Sequence, residues 1–467
     1  EEKHRRWIWR DDLTEQERER RITRAFMTLP YAERLEKVKR PEELPETELL
    51  AGVWDEVNAH LGTEANSISD LVEQLGIMRF GRRPKLADTF SGSGSIPFEA
   101  ARMGCDAYAS DLNPVACMLT WGAFNIVGAS PAEHAKMHKR QVSVMAEIDR
   151  EITQMGIEHD EKGNRAKVFL YCLETKCPRT GWMVPLAPSW IVSKQRNVIV
   201  RLVPDHPNKR YDFKMSSGVS EDEMAEANEG TVRNGRLFHP MLNDDLGVSI
   251  KEIRGDFKDE DGNNSNTLRL WDKHDFMPGP DDIWQERLYA IQWMDAVDIK
   301  KGKAIPRTWF AVPTQADLDR EDLVKDIVSK NLSTWQAAGL VPDMEIEPGN
   351  KTDEPIRTRG WTHWHHLFNP RHLLINATVA KHLNSYPEGA LIALNFHNQN
   401  ASLCRWATGA TREALANVFS NQALNTLLNY GARGYDGVAA FLDVPNNKPV
   451  AFTGHVLNQA AKDFSEP

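Results

Sequence analysis

The sequence predicts an α/β protein, and three observations predict it. Residues 85–127 read as strand, glycine-bearing turn, helix and strand in close succession. From about Lys167 the chain turns to β character, with Val168-Phe-Leu-Tyr-Cys, Trp182-Met-Val-Pro-Leu, Asn197-Val-Ile-Val-Arg-Leu-Val and Arg210-Tyr-Asp-Phe-Lys broken by Pro and Gly turns. On either side of the first stretch, residues 49–75 and 131–155 carry apolar side chains at three- and four-residue spacing, the mark of helices.

Taken in order, residues 1–48 form a helical N-terminal segment. Glu15-Gln-Glu-Arg-Glu-Arg-Arg suits a solvated helix, with a basic arm through Arg5, Arg6 and Arg10 as the alternative. Pro41 and Pro45 punctuate a linker. Residues 49–160 make the next domain, opened by the helical stretch with Leu50, Val53, Trp54, Val57 and Leu61 on one face and closed by a long helix from Pro131 to Met155, with Gly156 just past its end. Residues 161–350 read as a β-rich insertion suited to target recognition. Within it, 220–230 is an acidic loop or solvated helix, 283–294 reads as helical and aromatic, Thr308-Trp-Phe-Ala-Val-Pro as a short strand and 315–332 as an amphipathic helix. Residues 351–467 read as mostly helical, through 373–383 and 411–430. Residues 390–395 fit either a strand or the middle of a helix.

The chemistry lies in the stretch from Lys85 to Val127. A strand ends at Asp88, and the turn Phe90-Ser-Gly-Ser-Gly-Ser leads into a helix opening near Ile96-Pro97. A second strand, Ala107-Tyr-Ala-Ser, then ends at Asp111. Gly92 and Gly94 leave no side chain between backbone and ligand, so main-chain N–H groups can approach it. Pro97 suits a first helical turn, and the positive end of that helix faces the turn. Asp111 follows Gly94 by 17 residues, close to the roughly 20 expected of an acid that accepts hydrogen bonds from ribose hydroxyls. A nucleoside is the ligand this layout predicts. A dinucleotide fingerprint requires a third glycine where Pro97 stands, which disfavours hydride-transfer chemistry.

Asp88-Thr-Phe-Ser-Gly-Ser-Gly-Ser followed by Ser110-Asp-Leu-Asn-Pro resembles the D-x-F-x-G-x-G and D-x-[DN]-P elements of S-adenosylmethionine-dependent methyltransferases. Further strings narrow the resemblance: Gly76-Ile-Met-Arg-Phe-Gly-Arg-Arg-Pro, Ile96-Pro-Phe-Glu-Ala-Ala-Arg-Met-Gly-Cys and Asp111-Leu-Asn-Pro-Val-Ala-Cys-Met-Leu, then 178–194, 361–374 and 403–423. Together they look like a bacterial family of large adenine-specific DNA methylases, many with an N-terminal domain of unknown function and many in anti-phage defence loci. The resemblance implies a Rossmann-like methyltransferase core with a large α+β insertion and S-adenosyl-L-methionine as cofactor. It implies DNA and other subunits of a defence system as partners. It sets Asp88, Phe90, Ser91, Gly92, Ser93 and Gly94 at the methionine end, Asp111 on the ribose, and Leu112 and Asn113 near the adenine. Enzymes that modify ribosomal RNA share a similar glycine turn, so an RNA methyltransferase is the rival within the class.

One departure stands against this agreement. Amino-methylating enzymes of this kind carry a [DNS]-P-P-[YFW] motif, which bonds the target amine and stacks on the flipped base. This chain contains no Pro-Pro pair. No catalytic residue is therefore assigned, and the expectation is an incomplete chain, one partner of a split enzyme, or a non-catalytic cofactor-binding subunit.

A second stretch, Ile356-Arg-Thr-Arg-Gly-Trp-Thr-His-Trp-His-His-Leu-Phe-Asn-Pro-Arg, interleaves Arg357, Arg359 and Arg371 with Trp361 and Trp364. Such a surface can hold phosphates and stack on bases. The equal alternative is a structural aromatic cluster whose arginines pair with Glu345, Glu347, Asp353 and Glu354. His363, His365 and His366 lack a carboxylate or cysteine companion, so a packed or solvated cluster is expected. Cys172 and Cys177 resemble half of a zinc ribbon, but no second pair follows, and no filled metal site is expected.

Composition bounds the reading. Hydrophobic residues at 41% and charged residues at 27% fit a globular chain. A net charge of −10 requires any DNA contact to come from local patches. Five scattered cysteines form no disulfide framework, which suits a reducing cytoplasm. No apolar run approaches the length of a membrane span.

Overall fold

The computed structural model describes residues 14–30, 34, 50, 52–242, 246–303, 305–384, 387–409, 413–418 and 424–435. The chain divides into two compact units that change over at residues 131–132. This differs from the expected boundary near 160: the long helix Pro131–Met155 belongs almost wholly to the second unit. No boundary falls near 350 either, because strands and helices from both sides of it share one core. Arg5, Arg6 and Arg10, the linker prolines Pro41 and Pro45, and the tail after residue 435 lie outside the described residues.

In the first unit the described elements are α1 (Glu15–Met27), α2 (Trp54–Leu61), α3 (Ile68–Phe80), β1 (Lys85–Asp88), α4 (Ser95–Arg102), β2 (Asp106–Ala109) and α5 (Pro114–Gly122), which runs on as a π turn, Ala123–Val127. The single helix expected over 49–75 is split in two. Gly62 ends α2 in the left-handed conformation, and Ser67 starts α3 by accepting the Asp70 amide at 3.1 Å. Between α4 and β2, Gly104 sits at φ +88°, and a Cβ there would fall 2.5 Å from the Ser69 carbonyl oxygen. Only glycine lets α3 approach the end of α4 so closely. β1 and β2 pair in parallel, Lys85 opposite Asp106 and Asp88 opposite Ala109, with α4 as the crossover. Strand, glycine turn, helix and strand thus fall as the sequence predicts.

The second unit begins with α6 (Pro131–Met155) and is organised on one strand, β3 (Arg165–Lys176). β5 (Gln285–Met294) pairs antiparallel along its length. The other edge of β3 is shared, with β7 (Asn429–Arg433) on residues 168–172 and β4 (Met183–Leu186) on 173–176. β6 (Thr308–Ala311) pairs with β5, and a separate hairpin joins Val198–Asp205 to Arg210–Ser217. Among the described strands β1 with β2 is the only parallel pair. The fold is therefore mixed α/β, with one βαβ unit where a broad parallel core was expected and small antiparallel sheets elsewhere.

Two stretches predicted as helices contribute strands instead. Of residues 283–294, Gln285–Met294 form β5, whose positions Leu288 to Met294 are buried on both faces, so no alternation betrays the strand in sequence. Residues 411–430 contribute the strand Glu413–Leu415 and the start of β7, both fixed by pairing with distant segments. Residues 390–395 lie within the helix Pro387–His397, and the acidic run 220–230 holds the helix Glu221–Asn228 behind a Ser220 capping box.

Three long helices, α6, α7 (Gln315–Ala337) and α9 (Pro370–Leu383), with the short α8 (Asp353–Arg359) between the last two, enclose Val144, Ile148, Ile152, Val324, Val328, Leu332, Leu374 and Val379. Burying each such side chain is worth about 1.5–3 kcal/mol. The sheet is tied to these helices by charge as well. Arg371, on α9, is fully buried; its Nε donates to Glu321 of α7 at 2.9 Å and to the Tyr171 hydroxyl of β3 at 3.2 Å, and its Nη1 donates to the Ile157 carbonyl at 3.3 Å. The guanidinium lies 3.6 Å above the Phe169 ring, and the Tyr171 hydroxyl donates to Glu321 at 2.7 Å. A second buried acid, Glu174, accepts from Arg210 at 3.0 Å and Arg287 at 3.0 Å, joining the hairpin to β3 and β5.

Removing one member of a buried ion pair strands the other, at a cost of about 3–5 kcal/mol, whereas replacing both with apolar groups costs far less. Arg371→Met should therefore lower unfolding free energy by about that amount, and Arg371→Met with Glu321→Leu should recover most of it. Urea unfolding of the second unit measures both; equal losses in the single and double variants would contradict the pairing.

Candidate cofactor-binding site

Parallel pairing brings the carboxyl ends of β1 and β2 to one edge, and the predicted residues gather there. The ladder continues one step past each strand, with Ser110 N–H donating to the Asp88 carbonyl at 2.9 Å and Ser91 N–H to the Ser110 carbonyl at 3.0 Å. Asp88 turns the chain by accepting the Phe90 amide on Oδ1 at 3.1 Å. Asp111 then closes the arrangement. Its Oδ2 accepts the Gly92 amide at 2.9 Å and its Oδ1 accepts the Asn113 amide at 2.8 Å. The acid after β2 is thus bonded to the glycine turn after β1. The Asn113 amide first and the Gly92 amide next hold its carboxyl below the usual aspartate range.

The two glycines do different work. Gly94, at φ +85°, packs on α5: a Cβ there would lie 2.7 Å from Thr120 Oγ1 and 3.0 Å from Thr120 Cα. Ser91 Oγ lies 3.3 Å from the same buried Thr120 hydroxyl. Gly92, at φ +53°, has nothing within 4 Å of where a Cβ would stand, so its outer side is open to a ligand. Ser93 Oγ pairs with Ser95 Oγ at 3.2 Å at the start of α4. Asn113 is committed to the fold, its side chain capping α5 through the Val115 amide at 3.0 Å. Around this edge Leu112 is 92% exposed and Phe90 76%, so both side chains present apolar surface to solvent.

Each Asp111 oxygen spends one lone pair on a backbone amide, which leaves acceptor capacity on both for a pair of hydroxyls. Phe90 and Leu112 offer apolar surface beside them. The residues thus fit a ligand that combines a diol with a flat apolar part. Thr120, which buttresses the turn, was missed in the sequence; its only signal is a lone polar residue in the apolar run of α5.

The residues singled out for nucleic acid do not come together as a surface. Arg357 is exposed and Trp364 half-buried, but Arg359, Trp361 and Arg371 are buried. Arg371 is held by Glu321, and Arg359 donates to the carbonyls of Thr358 and Leu427, both at 2.9 Å. Trp361 packs edge-on against Trp271 with Leu367 and Leu403. Buried guanidiniums cannot reach a phosphate, and the aromatic-cluster alternative describes this stretch. Its acids are not the four upstream ones: Glu321 holds Arg371, while Glu354 accepts the Thr426 amide at 3.0 Å.

His365 and His366 place Nε2 against the carbonyls of Asp275 and Asp272 at 3.0 and 3.1 Å, and burial lowers their pKa values to about 4 and about 3. They are packed neutral histidines. Cys172 and Cys177 are buried in different apolar clusters, and burial pushes the Cys172 thiol up. Among the described residues no group of three or more His, Cys, Asp or Glu is arranged to hold a metal, and no single helix is long and apolar enough to cross a membrane.

No protein-family model matches the chain, and neither a curated protein nor a solved structure matches it. Function is therefore read from the site.

Gly94→Ala should destabilise the first unit by about 1–3 kcal/mol, since strain and the contact with Thr120 add, while Gly92→Ala, strained but unobstructed, should cost about 1 kcal/mol. Thermal unfolding distinguishes them; the reverse order would contradict the packing. The Asp111 bonds contribute above the ordinary aspartate pKa of 3.8 and are lost as pH falls below it. Protection of the Gly92 amide, its exchange rate set against that of the unfolded chain at the same pH, should fall only in that acid range.

Proposed function

We propose that residues 85–127 bind S-adenosylmethionine and that the chain serves methylation of the exocyclic amine of adenine in DNA. The observation that carries the reading is the bond from Gly92 N–H to Asp111, which draws the glycine turn and the second acid into one ligand-sized edge beside exposed Phe90 and Leu112. Asp111 would accept the ribose hydroxyls, as the best placed carboxylate with spare acceptor capacity. Leu112 and Phe90 would flank the flat and aliphatic parts of the ligand. Asp88 and residues Ser91 to Gly94 would shape the methionine end, through backbone groups near Gly92 and the amides opening α4. The cofactor supplies an electrophilic methyl group; the chain's own residues bind and orient it. A single βαβ unit is the minimal part of the Rossmann-like core this reading assumes.

A second reading has its own support. The absence of any Pro-Pro pair leaves no recognised group to hold the target amine, which favours a cofactor-binding subunit that acts with another chain.

Calorimetric titration with S-adenosylhomocysteine tests the shared part. We expect saturable binding, weakened about 10–100-fold in Asp111→Ala by loss of charge-assisted hydrogen bonds. Leu112→Ser should weaken it about tenfold with no loss of stability, because that side chain packs on nothing in the free protein. NADH should not compete. Transfer of labelled methyl to duplex DNA supports the enzyme, transfer to RNA only would move the substrate class, and binding without transfer supports the subunit. No binding by the folded chain would overturn the proposal.

A further inference from the structure

The turn after β1 is held from two sides. On one side Asp111 takes the Gly92 amide at 2.9 Å. On the other, α5 lies so close that a Cβ on Gly94 would fall 2.7 Å from Thr120 Oγ1 and 3.1 Å from Thr120 Cβ. Ser91 and Thr120 are both buried there, their hydroxyls 3.3 Å apart, and among the described residues each is the other's only side-chain hydrogen-bond partner. One helix serves both sides. Its cap, Asn113, gives its amide to Asp111, and Thr120 follows about two turns further along α5.

This arrangement spends most of the turn's own amides. Ser91 N–H donates to the Ser110 carbonyl at 3.0 Å, Gly92 N–H to Asp111, and Gly94 N–H to the Ser91 carbonyl at 2.7 Å. The amides of Ser93 and Ser95 have no partner among the described residues, and the two hydroxyls lie 3.2 Å apart. These are the groups left for a ligand. On the cofactor reading, on which this inference rests, they meet the amino-acid end, whereas the nucleoside end depends on Asp111 and Leu112.

We infer that Thr120 is a positioning residue for the amino-acid end of the ligand: the buried Ser91–Thr120 hydroxyl pair fixes the turn that carries the Ser93 and Ser95 amides. Neither hydroxyl touches the ligand. Valine at position 120 would keep the shape of threonine but leave the Ser91 hydroxyl buried without a partner, a state that favours movement of the turn toward water. Hydrogen bonds weaken steeply once donor and acceptor leave their alignment, so a small movement suffices.

The test is calorimetric titration with two probes, S-adenosylhomocysteine and methylthioadenosine, which shares its nucleoside and thioether but has no amino-acid end. Thr120→Val should bind S-adenosylhomocysteine about tenfold more weakly. It should bind methylthioadenosine within about twofold of the unmodified chain, which also shows that the variant is folded. Thr120→Ser keeps a hydroxyl and should restore S-adenosylhomocysteine affinity to within about twofold. Ser91→Ala should reproduce the tenfold loss, and adding it to Thr120→Val should cost little more, as expected when both remove one interaction. Equal losses for the two probes, an unchanged affinity in Thr120→Val, or no rescue by Thr120→Ser would each overturn the inference while the cofactor reading stands. An unmodified chain that binds neither probe would overturn both.

Discussion

A guanidinium taken fully out of water has to be matched on every side, and the second unit is arranged to match one. Arg371 reaches Glu321, Tyr171, the Ile157 carbonyl and the face of Phe169. Those partners lie on α7, on β3 and at the turn that leads from α6 into β3. One side chain therefore fixes the register of two helices against the central strand. The Glu174 pairs do the same for the hairpin beyond it. Neither network adds much stability over a well-packed apolar core, but each penalises any arrangement that leaves a charge unpaired. In this unit charge specifies the packing and apolar burial stabilises it.

The first unit obeys a different constraint. A parallel pair of strands must end on the same side, so the turn after β1 and the acid after β2 meet whether or not a ligand is present. The Asp111 bond to Gly92 makes that meeting specific. Exposed apolar side chains at such a place cost solubility without any return in packing, which is why Phe90 and Leu112 weigh toward a binding edge.

What the sequence revealed follows the range of the interactions. The glycine turn, Asp88 and Asp111 were legible because each acts on backbone groups a few residues away or across one strand pair. The helix Pro131–Met155 and the β run from Lys167 were legible from periodicity and turn residues. β5 was not, since burial on both faces erases alternation and its partner β3 lies more than a hundred residues upstream. The arginines of 357–371 misled for the same reason. An arginine bound for the core and one bound for a phosphate look alike until Glu321, 50 residues before Arg371, is brought to it. The order of strand, glycine turn, helix and strand at β1 and β2 was legible, but the breadth of the sheet around them was not, because strand count depends on which segments pair.

The central claim is that a nucleoside ligand sits against the closed turn of Gly92 and Asp111. The most direct measurement is the amide spectrum of glycine-labelled protein as S-adenosylhomocysteine is added. The account predicts a saturable shift of the Gly92 resonance, with Gly94 moving less and the glycines of the second unit, among them Gly360 and Gly431, staying in place. A Gly92 resonance that does not move, in a spectrum otherwise that of the folded chain, would contradict it.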